Sequence, residues 1–156
     1  MSDQIAIMTD GRIDQIGAPH EVYDAPSTRF VATFLGNANA IPVRIAGRNG
    51  EAVMVEAGDL TFPAVPGQPV SGERGEVVLR YEAIRIGPAA QAMPVTTEAR
   101  IRDVVFSGSS VHYVVETAAG LRLTVEEPHK ADEAPLPRGT SVPIGWPERA
   151  GRVFPA

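Results

Sequence analysis

This sequence predicts a mainly β fold, a small barrel or sandwich of short antiparallel strands, from three features. Residues 98–127, EARIRDVVFSGSSVHYVVETAAGLRLTVEE, hold three β-rich runs broken by Gly108 with its flanking serines and by Ala118-Ala119-Gly120. Two of the runs alternate. Leu121, Leu123 and Val125 oppose Arg122, Thr124 and Glu126, and Val111, Tyr113 and Val115 oppose His112, Val114 and Glu116. Period-two alternation between turn residues marks half-buried antiparallel strands. The third feature is composition, since 15 glycines and 14 prolines in 156 residues suit many turns rather than long helices. A meander with two open edges needs a cover, so the rest of the chain is expected to fold onto it.

Bulk properties narrow the class. At 44% hydrophobic residues, one domain or one domain plus an appendage can bury a real core without staples. There is no cysteine, which excludes disulfides and thiolate chemistry. No apolar run reaches membrane-span length and no signal-peptide pattern opens the chain, so a soluble cytoplasmic protein is expected. The net charge is −5, and the arginines are scattered, with Lys130 the single lysine. Such a surface has no electrostatic footprint for nucleic acid, and the sparse aromatics offer no stacking platform.

In chain order, Ile5–Met8 and Ile13–Gly17 flank Asp10-Gly11, a strong hairpin signal because glycine takes the positive φ the turn needs. Pro19 to Tyr23 reads as a short helix with proline at its first position, ending before Pro26. Ser27 is placed to cap a second helix, Thr28 to Leu35, closed by Gly36 in the left-handed position. Its apolar face of Phe30, Val31, Phe34 and Leu35 calls for a partner surface, since two turns do not persist alone in water. Strands are expected at Ile41–Ile45 and Ala52–Glu56, joined at Gly47-Arg48-Asn49-Gly50, with Pro42 at a strand start or edge. Leu60–Phe62 is a third candidate strand, Pro63–Gly75 a loop, Glu76–Arg80 and Glu82–Ile86 strands, and Gly87–Thr97 a second loop.

The stretch SDQIAIMTDGRIDQIGAPHEVYDAPSTRFVATFLGNAN resembles the end of the nucleotide-binding domain in ATP-binding subunits of ABC importers. It is similar to the subgroup with a C-terminal regulatory extension, as in polyamine, sugar, sulfate and iron importers. Ala18 departs from the threonine or serine that often caps the short helix there, which implies a frayed helix start. VVLRYEAIRI resembles the Arg-Pro-Glu-x-Ile element of the transport-associated OB (TOBE) domain, with Tyr81 in place of proline. The meander with its Phe-Ser-Gly-Ser turn resembles the second half of that domain, and Gly139–Trp146 its closing strand. The resemblance implies a remnant of the ATPase domain over residues 1–39, a hairpin plus two short helices. An OB-like TOBE barrel over 40–156 would follow it.

Chemistry is notable for what these residues lack. A transport ATPase needs a glycine-rich phosphate loop whose lysine reaches the β- and γ-phosphates. Lys130 lies between His129 and Ala131, outside any such loop. The Leu-Ser-Gly-Gly signature and the apolar run ending in Asp-Glu are missing too. The family's switch histidine lies just upstream of the Ser-Asp represented here by Ser2-Asp3. His20, His112 and His129 are too dispersed for a metal site and read as surface or strand-face residues. Glu126, Glu127, Asp132 and Glu133 read as a solvated turn, and Trp146 as core or hydrophobic seal. Arg80 and Arg85 flank Glu82 in a structural salt-bridge arrangement, with an anion contact as the minority reading. No catalytic, cofactor-binding or metal residue is assigned.

By resemblance, then, the chain is the regulatory and dimerisation part of an importer's ATP-binding subunit, for spermidine/putrescine or another small polar solute. It would pair with a second copy, meet the transmembrane permease through the ATPase domain, and sit at the inner face of the membrane. ATP and magnesium would belong to the full-length parent only. A small-ligand module sensing an oxyanion or polyamine is the second reading, for which Ser107-Gly108-Ser109-Ser110 is the one candidate loop. An independent enzyme has no nucleophile–base pair or ligand cluster behind it.

Overall fold

The computed structural model describes residues 4–34, 36–49, 52–130 and 133–155. β1 (Ile5–Thr9) and β2 (Arg12–Gly17) form the expected hairpin. Asp10 and Gly11 turn it with φ of 51° and 77°, which glycine takes freely and aspartate tolerates. α1 (Pro19–Asp24) starts at its proline, and Ala18 supplies no side-chain cap. α2 (Arg29–Phe34) is capped by Thr28, not Ser27, because Thr28 Oγ1 accepts from Val31 N at 3.2 Å. Ser27 is drawn away by Gln15, whose Oε1 accepts from its amide at 2.8 Å. Gly36 has φ 158°, far from the left-handed helical value, because the chain leaves directly for β3 (Ala38–Asn49). Leu35 lies outside the described residues.

The buried face of α2 is rotated from the expected one. Val31 and Ala32 are buried while Phe30 and Phe34 are 39% and 61% exposed. Ala32 packs with Val78 and Phe154, and Ala38 lies against them, so the helix docks on the β body. Val31 faces the other way, toward Ile7 and Val22.

That body divides between two sheets. β3, β4 (Ala52–Ala57), β5 (Leu60–Pro66), β6 (Arg74–Arg80) and β12 (Arg152–Pro155) close into a barrel in the order β12-β5-β4-β3-β6. β7 (Arg85–Ile86), β8 (Val95–Phe106), β9 (Ser110–Thr117), β10 (Arg122–Pro128) and β11 (Ser141–Trp146) form a second sheet, ordered β10-β9-β8-β11-β7. The fold is thus mainly β and OB-like, as expected, and the 98–127 meander is β8–β9–β10.

Several boundaries differ. Gly47, Arg48 and Asn49 continue β3 instead of turning, and the turn predicted at Gly50 falls outside the described residues. β3 pairs with β6 over 38–44 and with β4 over 44–49, with a bulge between Ile45 and Gly47. Pro42 therefore sits where only one side of the strand has a partner, which tolerates its missing N–H. β5 runs through Pro63 to Pro66 inside the expected loop. Glu82–Ile86 is a 3₁₀ turn (Tyr81–Ala83) and then the two-residue β7, because Ile84 is drawn fully into the core. The second predicted loop holds α3 (Pro88–Gln91). This helix packs over β11 at Gly145, where a Cβ would lie 2.8 Å from Ala90 O and 2.6 Å from Val95 O. The strand ending in Trp146 does not close the barrel but lies between β8 and β7. Closure falls to β12, parallel to β5 and antiparallel to β6.

Candidate functional site

Among the described residues no cluster of nucleophile and base forms, so the functional geometry is that of joints and clefts. The two sheets share one core. Trp146 of β11 is fully buried and meets Phe62 of β5 edge to face, ring centroids 5.4 Å apart. Its indole Nε1 is buried without a partner. A polar rung completes the joint. Asn39 Oδ1 accepts from Thr124 N at 2.8 Å, and its Nδ2 donates to Thr124 O at 3.0 Å and to Leu79 O at 3.3 Å. An asparagine side chain here mimics a backbone amide, so β3 of the barrel is tied to β10, the edge strand of the other sheet. The alternation of β10 reveals an edge that needs a cover, but nothing in sequence says which residue supplies it.

A second joint holds the N-terminal unit to the barrel. The Arg80 guanidinium lies 4.1 Å from the centre of the Tyr23 ring, a cation–π contact, and its Nη2 donates to Tyr23 O at 3.4 Å. The Tyr23 hydroxyl donates to the Glu82 carboxylate. Burial, then that hydrogen bond, pushes the Tyr23 phenol up to about 12, since the phenolate would be desolvated beside an anion. Arg29 Nη1 reaches Glu76 Oε2 at 3.2 Å across the same seam. Between α1 and the barrel opens a cleft of about 250 Å³, onto which Asp24, Arg80, Glu82, Arg149 and Arg152 face. Burial, and then the neighbouring Arg149 charge, lower the pKa of Arg152.

Sequence reasoning placed these residues only in part. Glu82 forms no salt bridge with Arg80 or Arg85 among the described residues. Its carboxylate is taken by Tyr23, while Arg85 Nη1 reaches only its carbonyl, at 3.5 Å. His112 Nε2 lies 2.7 Å from Glu126 Oε1 across β9 and β10, a strand-face pair. His129 packs edge to face on Phe106. Glu127 is half buried, and that burial raises its carboxyl pKa. Asp132 lies outside the described residues. The Ser107–Ser110 turn spends its groups on itself. Ser107 N donates to Ser110 O at 3.0 Å, Ser109 N to Ser107 O at 3.1 Å, and the two hydroxyls of Ser107 and Ser110 pair at 2.9 Å. Those two amides are not free to cradle an anion. Among the described residues no three His, Cys, Asp or Glu side chains gather to hold a metal, and no helix is long and apolar enough to cross a membrane.

Barrel, second sheet and docked hairpin–helix unit together define a β-rich module of the OB type. The TOBE domain model matches residues 77–154. Over 153 residues the chain is 35% identical to the spermidine/putrescine import ATP-binding protein PotA of Rubrobacter xylanophilus, covering 96% of this chain and 40% of that protein. It is 31% identical to the Fe(3+) ions import ATP-binding protein FbpC of Rhizobium etli, with the same coverage of 96% and 40%. The cytoplasmic molybdate-binding protein ModG shares the fold, with a TM-score of 0.60 at 9% identity over 76% of this chain and 96% of that one. The chain belongs to the TOBE domain family, in the form carried at the C-terminal end of ABC importer ATP-binding subunits. It spans 40% of the length of these two import proteins.

Proposed function

We propose that this chain is the regulatory and dimerisation part of an ABC importer's ATP-binding subunit. Residues 1–39 are the last piece of the ATPase domain and 40–156 the regulatory domain. The observation that carries this reading is the seam itself. α2 is wedged on the barrel through Ala32, Val78 and Phe154, and α1 is held by Tyr23 and Arg80. A movement of the ATPase end is therefore delivered to a β body that resists deformation, because both of its sheets share one core. Two such bodies in contact hold a pair of subunits together while their nucleotide-binding halves separate. The work is mechanical: ATP and magnesium bind elsewhere in the subunit, as do the permease contacts at the inner membrane face. The solute is spermidine, putrescine or another small polar molecule, by similarity to the PotA protein named above.

Light scattering across a concentration series tests the pairing. A mass near twice the 16.6 kDa monomer is expected at high concentration, and a strict monomer throughout would remove the dimerisation role. The chain alone should release no phosphate from ATP above the blank.

A second reading, a small-ligand sensor within the same transporter, is favoured by the arginine-lined cleft and by the fold shared with a protein described as binding molybdate. It predicts a saturable rise in melting temperature with a small anion or a polyamine.

A further inference from the structure

We propose that the cleft between α1 and the β6–β12 face of the barrel binds a small tetrahedral oxyanion of the phosphate or sulfate type, held by Arg80, Arg149 and Arg152. The proposal deepens the ligand-sensing reading, on which it rests, by giving it a site. Strand geometry assembles the three guanidinium groups. Arg152 stands directly opposite Val78 in the β6–β12 pairing, and Arg80 is two residues further along β6, so both project from one face. Arg149 comes from the turn just before β12 and lines the same cleft.

Burial and pairing together separate Arg80 and Arg152 from the other arginines, since Arg12, Arg48, Arg74, Arg85 and Arg100 also lack a carboxylate partner among the described residues but are all exposed. Arg29, Arg44, Arg102, Arg122 and Arg138 each lie within 3.3 Å of a carboxylate oxygen. Among the described residues, none of the three in the cleft has such a partner. Yet Arg80 and Arg152 are the partly buried ones, where an uncompensated charge costs most. Arg80 Nη1 is buried with no hydrogen-bond partner among the described residues. Two carboxylates share the cleft. Glu82 is engaged by the Tyr23 hydroxyl, and Asp24 is exposed on the opposite wall. Three guanidinium groups against two carboxylates leave a positive excess, which repels a polyamine and suits an anion. Guanidinium forks match the oxygens of a tetrahedral oxyanion, and an ion placed among them would relieve the repulsion between Arg149 and Arg152. Because the walls belong to α1 on one side and the barrel on the other, occupancy would tighten the seam.

The test is calorimetric titration and thermal shift of this chain with inorganic phosphate, sulfate and spermidine, with chloride at equal ionic strength as control. Saturable binding of phosphate or sulfate beyond the chloride effect is expected. Arg149→Gln, on an exposed turn, should keep the unliganded melting temperature and weaken that binding roughly tenfold. The Arg149→Gln/Arg152→Gln pair should abolish it, and if the pair does not fold, Arg149→Gln alone decides. Oxyanion binding that Arg149→Gln leaves unchanged would overturn this site while preserving the sensing reading. A response to spermidine but not to oxyanions would do the same. Silence toward every probe would overturn both.

Discussion

The β body and the N-terminal hairpin–helix unit are built on opposite economies of burial. In the body, a continuous core runs from Ile41 in the barrel through Phe62 and Trp146 to Val125 in the second sheet. In the N-terminal unit, Ile7, Val22 and Val31 alone make a core among the described residues, with Ile5 packed against it. There Met8, Ile13, Ile16 and Phe34 stand 57–61% exposed. Scattered apolar exposure is ordinary, but three of these four large side chains, Met8, Ile13 and Ile16, stand on one hairpin. The difference teaches that one region contains its own reason to fold, whereas the other holds its shape by leaning on the first.

The sharpest way to break that contrast is to damage the shared core. Trp146→Ala should cost about 3–5 kcal/mol and lower both sheets together in urea denaturation, since the indole fills the space between them. If the barrel and the second sheet then melt in separate transitions, the body is not one unit. Asn39→Ala comes next, at about 1–3 kcal/mol, because it leaves the Thr124 N–H and carbonyl unpaired at the joint. A loss near zero would mean that water or a shifted β10 replaces the rung.

Tyr23 sharpens the contrast at the seam. Its folded-state phenol lies near 12, above the ordinary value of 10, so the bond it makes stabilises the folded state fully below pH 10 and is lost as pH rises through 12. Ultraviolet titration should show one of the three tyrosines ionising late, and Tyr23→Phe should delete that late step. Identical behaviour of the variant would place the late phenol elsewhere. The smallest effect is expected from Arg29→Ala, at most about 0.5 kcal/mol and vanishing at high salt, because the Arg29–Glu76 pair is exposed.

How far the sequence exposed this architecture depended on where the deciding interactions lie. The Asp10-Gly11 hairpin and the alternating β9 and β10 were legible because turn chemistry and period-two burial are local. The barrel's closure was not. β12 is only Arg152–Pro155, too short to show a period, and its partners β5 and β6 are distant in sequence. Pro63 and Pro66 disguised the end of β5 as loop, although a strand can carry proline where no ladder bond is needed. Arg80 was legible as a charge beside Glu82, but its stacking on Tyr23 joins residues that only the fold brings together. The cleft arginines were invisible for the same reason, since Arg149 and Arg152 lie far along the chain from Arg80 and in no recognisable motif.

Amide hydrogen exchange on the intact chain, resolved by residue, confronts the central contrast most directly. The core amides of β6, β8, β9 and β11 should share a single high protection, set by global unfolding, with those of β1, β2 and α1 exchanging orders of magnitude faster through local opening. Uniform protection across both regions, or a barrel that opens independently of the second sheet, would contradict it.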